Sequence, residues 1–246
     1  MKRFIDPRKA LHQTGFTLVE VLFAITIGVL LLGAIFVAVQ SGQRSSVAIE
    51  SKVATQQDAR AVLAIMEMEI GMASYNATFA PASMWLNPAD CAAAGVAANK
   101  GIQVATVNTL TVEMDTNENG SLAPGIPGNQ NEIISYVYDI PNQRLTRSTN
   151  CGGAQEFLGC LDANGNGRCD SNESLRTTRI INNTLGIPVF QYFDATGATT
   201  ANIPAIRRID ITLAVQTDEI DPNTGQRRTM IYSTSVVPKN HAIFQN

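Results

Sequence analysis

The sequence predicts an α+β fold, in which one long N-terminal helix packs against an antiparallel β-sheet head. Three observations lead to this prediction. No proline lies between Pro7 and Pro81, apolar residues recur at helical spacing after Gln40, and apolar and polar residues alternate in several stretches beyond residue 100. A period near 3.6 residues indicates an amphipathic helix, and a period of two indicates half-buried strands. Because each element has to bury its apolar side, one face of the sheet is expected to cover the helix.

The N-terminal element begins with a short basic leader and continues as an apolar span. Residues 15–20 read GFTLVE, and basic residues precede them at positions 2, 3, 8 and 9. From Phe16 to Val39, Glu20 is the only ionisable side chain. About 20 apolar residues are enough for a helix to cross a bilayer. In an ordinary secretory signal the apolar region precedes the cut and is lost, whereas here Gly15 and the basic leader come first. We therefore expect the span to remain in the mature protein.

This segment resembles the cleavage and N-methylation motif of type IV prepilins and pseudopilins. The resemblance implies that a prepilin peptidase cuts after Gly15 and methylates the new N-terminal residue, Phe16. It also implies that Glu20 pairs with the N-terminal amine of a neighbouring subunit and orders subunits as they enter a filament. The alternative is a signal anchor with one glutamate near its cytoplasmic end.

We divide the chain into four segments. Residues 1–15 are the leader, 16–40 the transmembrane half of the long helix, 41–76 its amphipathic half, and 77–246 the globular head. The apolar stripe expected to face the head consists of Val47, Val53, Ala61, Ile65, Met68 and Met72.

The head is predicted to consist of strands and tight turns. Alternation of apolar and polar residues predicts strands around residues 109–114 and 206–216. One hairpin is expected to join Ile133–Tyr138 to Arg144–Arg147, and a second to join Ile206–Gln216 to Thr229–Val237, because turn-forming residues separate each pair. A further strand is predicted at Ile187–Phe193.

Composition argues against two classes of function. The leader removes four of the 18 basic and one of the 21 acidic residues, so the mature chain carries a net charge of −6. This charge argues against nucleic-acid binding through a broad basic surface. Of the two histidines, His12 leaves with the leader and only His241 remains. A His-rich zinc centre and a Ser-His-Asp catalytic set are therefore not expected, and we predict that the protein is not an enzyme.

Four cysteines lie in the expected head, at Cys91, Cys151, Cys160 and Cys169. An even number in an exported domain indicates two disulfides, with three possible connectivities. We favour Cys160–Cys169 together with Cys91–Cys151. The alternative is that the cysteines are free and buried.

A twelve-residue segment, 162–173, fits the EF-hand calcium loop at every constrained position. Oxygen ligands are expected from Asp162, Asn164, Asn166, the carbonyl of Arg168, Asp170 through a water, and bidentate Glu173. Gly167 permits the sharp turn, and Cys160 and Cys169 are placed to staple the loop. The cofactor expected here is calcium. The alternative is a solvated turn rich in asparagine and glycine.

A second segment, from Asp115 to Gly120, repeats the first half of that pattern with Asp115, Asn117 and Asn119 at the ligand positions. Ile126 stands where the closing glutamate would be. We favour an ordinary turn here, since these residues tolerate left-handed backbone. The alternative is a calcium site completed by Glu132 or by backbone oxygens.

Within the prepilin group, the chain is most similar to PilW-type minor pilins, on the strand at 133–138, the Arg144-Leu145-Thr146-Arg147 segment and the ending Val236–Asn240. This resemblance implies a priming or tip component of a type IV pilus, with other pilins as partners. It implies a single-pass inner-membrane protein with a periplasmic head that later reaches the pilus or cell surface. The alternatives are a J-type pseudopilin of type II secretion and a membrane-tethered, calcium-dependent adhesin.

Overall fold

The computed structural model describes residues 15–159 and 178–242, and it divides into two units, Met1–Ser46 and Val47–Asn246. One helix, α1, spans Leu18–Gly71. The sequence predicts a helix to Tyr75, but the last turn tightens, with Met72 N–H bonding to the Glu69 carbonyl and Ala73 N–H to that of Ile70. Ser74 then has a φ of 66°, which a right-handed helix cannot contain. The helix therefore ends before Ser74.

In the second unit, one face of α1 is buried against the head. This inner face consists of Ala59, Val62, Leu63, Met66 and Ile70, with Thr55 at its N-terminal end. The spacing i, i+3, i+4, i+7 and i+11 places these side chains in one stripe along the helix. The inner face is the contact that holds α1 to the sheets.

The predicted stripe from Val47 to Met72 is wrong, because all six of its residues are exposed. Met68, for example, is 63% exposed, whereas Met66 is fully buried. Two residues correspond to about 200° of rotation around an α-helix, so Met66 and Met68 point to nearly opposite sides. Both stripes have helical spacing, and spacing alone does not decide which of two apolar faces meets a sheet.

The head contains two antiparallel sheets formed by nine strands in the described part of the chain. The first has the order β1-β2-β3-β4-β5. In the second, β8 pairs with β6 and β7 along its length, and β9 also pairs with β8. A four-residue helix, α2 (Asn182–Leu185), precedes β7. The strands are β1 Ile102–Ala105, β2 Thr109–Glu113, β3 Ile133–Asp139, β4 Arg144–Thr149, β5 Gln155–Leu158, β6 Thr178–Ile180, β7 Phe190–Phe193, β8 Arg208–Asp221 and β9 Gln226–Val236.

The α+β class and both predicted hairpins are confirmed. Strand β3 pairs with β4 with Val137 opposite Thr146, and β8 pairs with β9 with Leu213 opposite Tyr232. The prediction of a single sheet is wrong, since two sheets are present. Strands β1, β5 and β6 were not predicted, because strands of three or four residues are too short to show a period of two.

The two sheets and the inner face of α1 share one hydrophobic core. Met66, Leu110, Tyr136, Phe190 and Leu213 are all completely buried and belong to it. Because elements distant in sequence meet in this core, the helix and both sheets are expected to unfold together.

A smaller hydrophobic cluster lies beneath the loop that follows α1. It contains Trp85, Leu122 and Ile133. The disulfide Cys91–Cys151, with 5.9 Å between the Cα atoms, joins this loop to the residues after β4 and confirms one of the two favoured pairs. It closes a separation of 60 residues, which restricts the unfolded chain considerably. The other favoured pair, Cys160–Cys169, lies outside the described residues.

Candidate functional site

The N-terminus of α1 is closed by a reciprocal pair, Thr17 and Glu20. The backbone N–H and the hydroxyl of Thr17 each donate to Oε2 of Glu20 at 2.9 Å, and the N–H of Glu20 donates to Oγ1 of Thr17 at 3.3 Å. This is a capping box, which satisfies N–H groups that the first helical turn leaves unpaired. Both bonds to the carboxylate go to Oε2, so Oε1 stays available for a second partner.

The residues after this cap expose their apolar side chains on every side. Leu18, Phe23, Leu32 and Phe36 are each more than 60% exposed, and the large apolar residues from Phe16 to Val39 behave alike. Helix α1 is long and apolar enough, by length and composition, to cross a membrane. A surface apolar all round the helix suits lipid or the apolar helices of other subunits, and Glu20 is the one acid within it.

Thr17 is a residue of this site that the sequence analysis did not identify. The pattern Thr-x-x-Glu at the start of an apolar run is a known capping signature and would have revealed it. The resemblance to prepilins implies for Glu20 only a contact with a neighbouring subunit. In the single chain its carboxylate already has a partner, so contact with another subunit has to use Oε1 or displace Thr17.

In the head, a partly buried ionic network joins α1 to the first sheet. The guanidinium of Arg147 on β4 binds Glu69 in a bidentate manner, with Nη2 to Oε1 at 2.6 Å and Nε to Oε2 at 3.1 Å. The hydroxyl of Tyr136 on β3 donates to the same carboxylate. Burial and the charge of Glu69 raise the pKa of Tyr136, so its hydroxyl stays protonated and keeps donating. This network fixes the axial position of α1 on the sheet.

The opposite side of α1 carries an exposed apolar stripe, which we call the outer stripe. It consists of Ile65, Met68 and Met72, and Met68 is 63% exposed. The outer stripe and the inner face lie on opposite sides of one helix. Exposed apolar stripes of this kind mark interaction surfaces. Helix α1 is therefore suited to pack against its own head on one side and against another protein on the other.

Close to the C-terminus, a buried histidine, His241, forms a hydrogen bond with a residue just after α1. Nδ1 of His241 lies 2.9 Å from the hydroxyl of Ser74, and Nε2 lies 2.9 Å from the carbonyl of Ile203. Nε2 therefore carries the proton and Nδ1 accepts from Ser74. Burial lowers the pKa of His241, which favours this neutral form. Both side chains are at most 2% exposed, so the pair has no access to a substrate and acts as a structural contact.

Glu113 on β2 is a buried acid that the sequence analysis did not single out. Its Oε2 accepts from the N–H of Leu86 at 3.0 Å, and Oε1 has no hydrogen-bond partner among the described residues. Burial raises its pKa to about 8. The alternation in β2 gave Glu113 a solvent-facing position, but the loop around Leu86 covers that face.

The predicted calcium ligands fall partly outside what the structure describes. The loop 162–173, with Asp162, Asn164, Asn166, Arg168, Asp170 and Glu173, lies outside the described residues. Within residues 15–159 and 178–242, no group of three or more His, Cys, Asp or Glu side chains is arranged to hold a metal. Asp115, Asn117 and Asn119 are described, and they do form one compact turn closed by hydrogen bonds.

The cap, the apolar span with its single acid, Glu20, and the α+β head together suggest a subunit anchored in a membrane by its N-terminal helix. The comparisons agree with this class. Residues 11–36 match the family model described as a prokaryotic N-terminal methylation motif. This match covers the N-terminal segment and, together with the α+β fold, supports a relationship to the type IV prepilin and pseudopilin superfamily. Comparison with curated proteins and with solved structures gave no match.

Proposed function

We propose that this chain is a minor pilin of a type IV pilus, which primes assembly or forms part of a tip complex. The observation that carries the proposal is the N-terminal methylation motif, in which an apolar span follows the cleavage position and holds Glu20 as its one acid. The size of the head supports a minor rather than a major pilin. The head unit runs from Val47 to Asn246 and holds two sheets, and so bulky a subunit packs poorly along a thin filament.

Assembly uses the exposed sides of α1. The span to Val39 leaves the bilayer when the subunit enters a filament, so the apolar helices of neighbouring subunits have to replace lipid around it. The head unit offers a second exposed apolar surface, the outer stripe, where Met68 and Met72 supply flexible side chains that adapt to a partner. The expected partners are prepilin peptidase and other pilins, and the path runs from the inner membrane to the pilus or cell surface.

Two alternatives share the same support. A J-type pseudopilin of type II secretion would need the same motif, span and bulky head. A membrane-tethered, calcium-dependent adhesin is favoured by the EF-hand pattern at 162–173, and it is compatible with a position at the pilus tip. Loss of a minor pilin should abolish pili, whereas loss of a type II secretion pseudopilin should abolish protein export.

The test replaces Glu20 with Val in the native host, in a strain whose other copies of the gene are deleted. This change removes the acid and makes the span more apolar, so membrane insertion should persist, while entry into filaments should fail. Pili are counted by electron microscopy, and export of folded proteins is assayed in the same cultures. Thr17→Val is the matched control, because it removes the hydroxyl contacts of the cap, keeps the backbone N–H bond to Glu20 and keeps the acid.

Loss of pili with normal export supports the minor pilin, and loss of export with normal pili supports the pseudopilin. Normal pili and normal export in a strain that depends on Glu20→Val would contradict both. If Thr17→Val abolishes filaments as completely as Glu20→Val, the acid acts through its own helix rather than through a neighbour.

A further inference from the structure

The connection between β2 and β3 begins with a turn organised around a buried aspartate. Asp115 is fully buried. Its Oδ1 accepts from the N–H of Asn119 at 3.1 Å, and its Oδ2 accepts from the N–H of Gly120 at 2.8 Å. Gly120 has a φ of 73°, which glycine adopts without strain. The turn thus has the fold that the half-pattern predicts, with the side chains at its first, third and fifth positions on a tight loop.

At the other end of this connection, just before β3, the carboxylate of Glu132 lies against the same turn. Oε1 of Glu132 accepts from the N–H of Thr116 at 3.0 Å, from the hydroxyl of Thr116 at 3.2 Å and from the N–H of Asn117 at 3.3 Å. Glu132 is fully buried. Its second oxygen, Oε2, is also buried and has no hydrogen-bond partner among the described residues. A buried carboxylate oxygen without a partner is costly and calls for a ligand.

Among the residues that the structure describes, no basic side chain is paired with either of the two carboxylates, Asp115 and Glu132. One divalent cation would neutralise both charges at once.

Three asparagine amides meet at the same place. Oδ1 of Asn129 accepts from Nδ2 of Asn117 at 2.8 Å and from Nδ2 of Asn119 at 2.7 Å. The oxygens of Asn117 and Asn119 accept instead from the N–H groups of Asn119 at 3.0 Å and of Ser121 at 2.8 Å. Rotating these two amides by 180° would exchange oxygen for nitrogen and turn the oxygens towards a cation beside Asn129, with the loss of those two N–H bonds.

We propose that this cluster is a calcium site, with Asp115, Asn117 and Asn119 as ligands from the turn and Glu132 as the closing acid. In the EF-hand loop pattern the closing glutamate would fall at Ile126, whose side chain has no oxygen ligand. Glu132 supplies the closing carboxylate instead. The set contains only oxygen donors, two of them carboxylates, which suits calcium. Magnesium fits it less well, because magnesium retains its waters and rarely enters an all-protein site. Only two carboxylates contribute, so the affinity belongs with extracellular calcium modules, which bind at roughly 0.1–1 mM.

Calcium at this place would connect the end of α1 to the first sheet. The N–H of Asp115 donates to the carbonyl of Tyr75 at 2.9 Å, and Asn76 pairs with Asp115 in an isolated parallel bridge. Tyr75 and Asn76 immediately follow the last turn of α1. A cation held by Asp115 and Glu132 would therefore stabilise the chain segment that leads out of the helix.

The test measures calcium binding to the mature protein in detergent by equilibrium dialysis with calcium chloride. All variants carry Glu173→Ala, which removes the closing ligand of the predicted calcium loop 162–173 so that this loop does not contribute to the binding measured. Glu132→Gln in this background removes the closing charge and keeps the side-chain shape. Glu118→Gln is the matched control, since Glu118 belongs to the same turn but its carboxylate accepts from the Tyr75 hydroxyl at 2.9 Å instead of facing Glu132.

The single Glu173→Ala variant is expected to bind one calcium ion per chain. Adding Glu132→Gln should weaken that binding at least about tenfold, as losses around metal sites do, whereas adding Glu118→Gln should leave it unchanged. In EDTA, Glu132→Gln should melt at or above the parent protein, because it removes a buried charge, and this shows that the variant folds. The proposal is overturned if Glu173→Ala binds no calcium, or if the Glu132→Gln derivative binds it as tightly as its parent.

Discussion

The N-terminal segment and the head differ in how far apart along the chain their interacting side chains lie. Thr17 and Glu20 are three residues apart. In the head, 78 residues separate Glu69 from Arg147, and 167 separate Ser74 from His241. The contacts of the N-terminal segment can therefore be recognised from a short motif. The contacts of the head form only when the chain folds and brings distant residues together. Changes in the N-terminal segment should act on processing and assembly, and changes in the head should act on stability.

The largest effect is expected at the cleavage position. Gly15→Val should leave the leader attached, because the resemblance to prepilins implies that only a very small residue is accepted before the cut. Intact mass spectrometry of the membrane fraction should then show the full-length chain. The wild-type protein should begin at N-methylated Phe16. A wild-type chain that begins at any other residue would contradict the assignment.

In the head, the largest expected loss of stability comes from breaking the pair of Glu69 and Arg147. Both side chains are less than 20% exposed, and removing one partner of a buried pair leaves the other uncompensated. Glu69→Gln should lower the free energy of unfolding by about 2–4 kcal/mol, measured by thermal melting of the mature protein in detergent. Glu67→Gln is the control. Its carboxylate contacts Thr234 at the surface, and it should cost no more than about 0.5 kcal/mol. Equal melting temperatures for the two variants would show that the network does not hold the helix.

A smaller effect, with a distinctive pH dependence, is expected from Glu113. Burial raises the pKa of its carboxyl to about 8, from an ordinary value of 4.5. Between these values the folded protein binds a proton that the unfolded chain has released, so stability falls as the pH rises from 4.5 to 8. Glu113→Gln should stabilise the protein by about 1–3 kcal/mol at pH 8 and leave it unchanged near pH 4.5.

His241 acts in the opposite direction and provides an internal reference. Its pKa is lowered by burial, so its contribution is complete above pH 6.5 and is lost as the pH falls below that value. Melting curves of wild type and Glu113→Gln should therefore diverge towards high pH while sharing the loss at low pH. Parallel curves over the whole range would contradict the buried-acid interpretation.

The smallest effect is expected from the loop 162–173, for which calcium remains a proposal. A ligand present at a few times its dissociation constant stabilises a fold by less than about 1 kcal/mol. Millimolar calcium should therefore raise the melting temperature of the mature protein only slightly through this loop, and EDTA should reverse the rise. Glu173→Ala should remove that part of the shift, with Glu118→Gln as a control. Equal melting temperatures of wild type and Glu173→Ala in calcium would make this segment an ordinary turn.

The features that could be predicted from the sequence are those carried by neighbouring residues. The apolar span, the two hairpins and the Asp115 turn each rest on contiguous patterns. The burial of Glu113 could not be predicted, because it depends on the loop around Leu86 covering one face of β2. The inner face of α1 was misplaced for a related reason. A helix with apolar residues on two sides has two plausible buried faces, and only the sheets select one of them.

The capping box at Thr17 also has a consequence for the proposed stage at which a subunit resides in the membrane before it enters a filament. A carboxylate without partners near the bilayer would attract water or headgroups, and the subunit would be prone to leave the membrane or to pair wrongly. Instead, the carboxylate of Glu20 accepts hydrogen bonds from the hydroxyl and the N–H of Thr17. Such a cap is worth about 1 kcal/mol, which an incoming positive charge can readily outweigh. If Glu20 pairs with a neighbouring subunit as proposed, the contact with Thr17 would hold its carboxylate until that subunit arrives and would then be replaced.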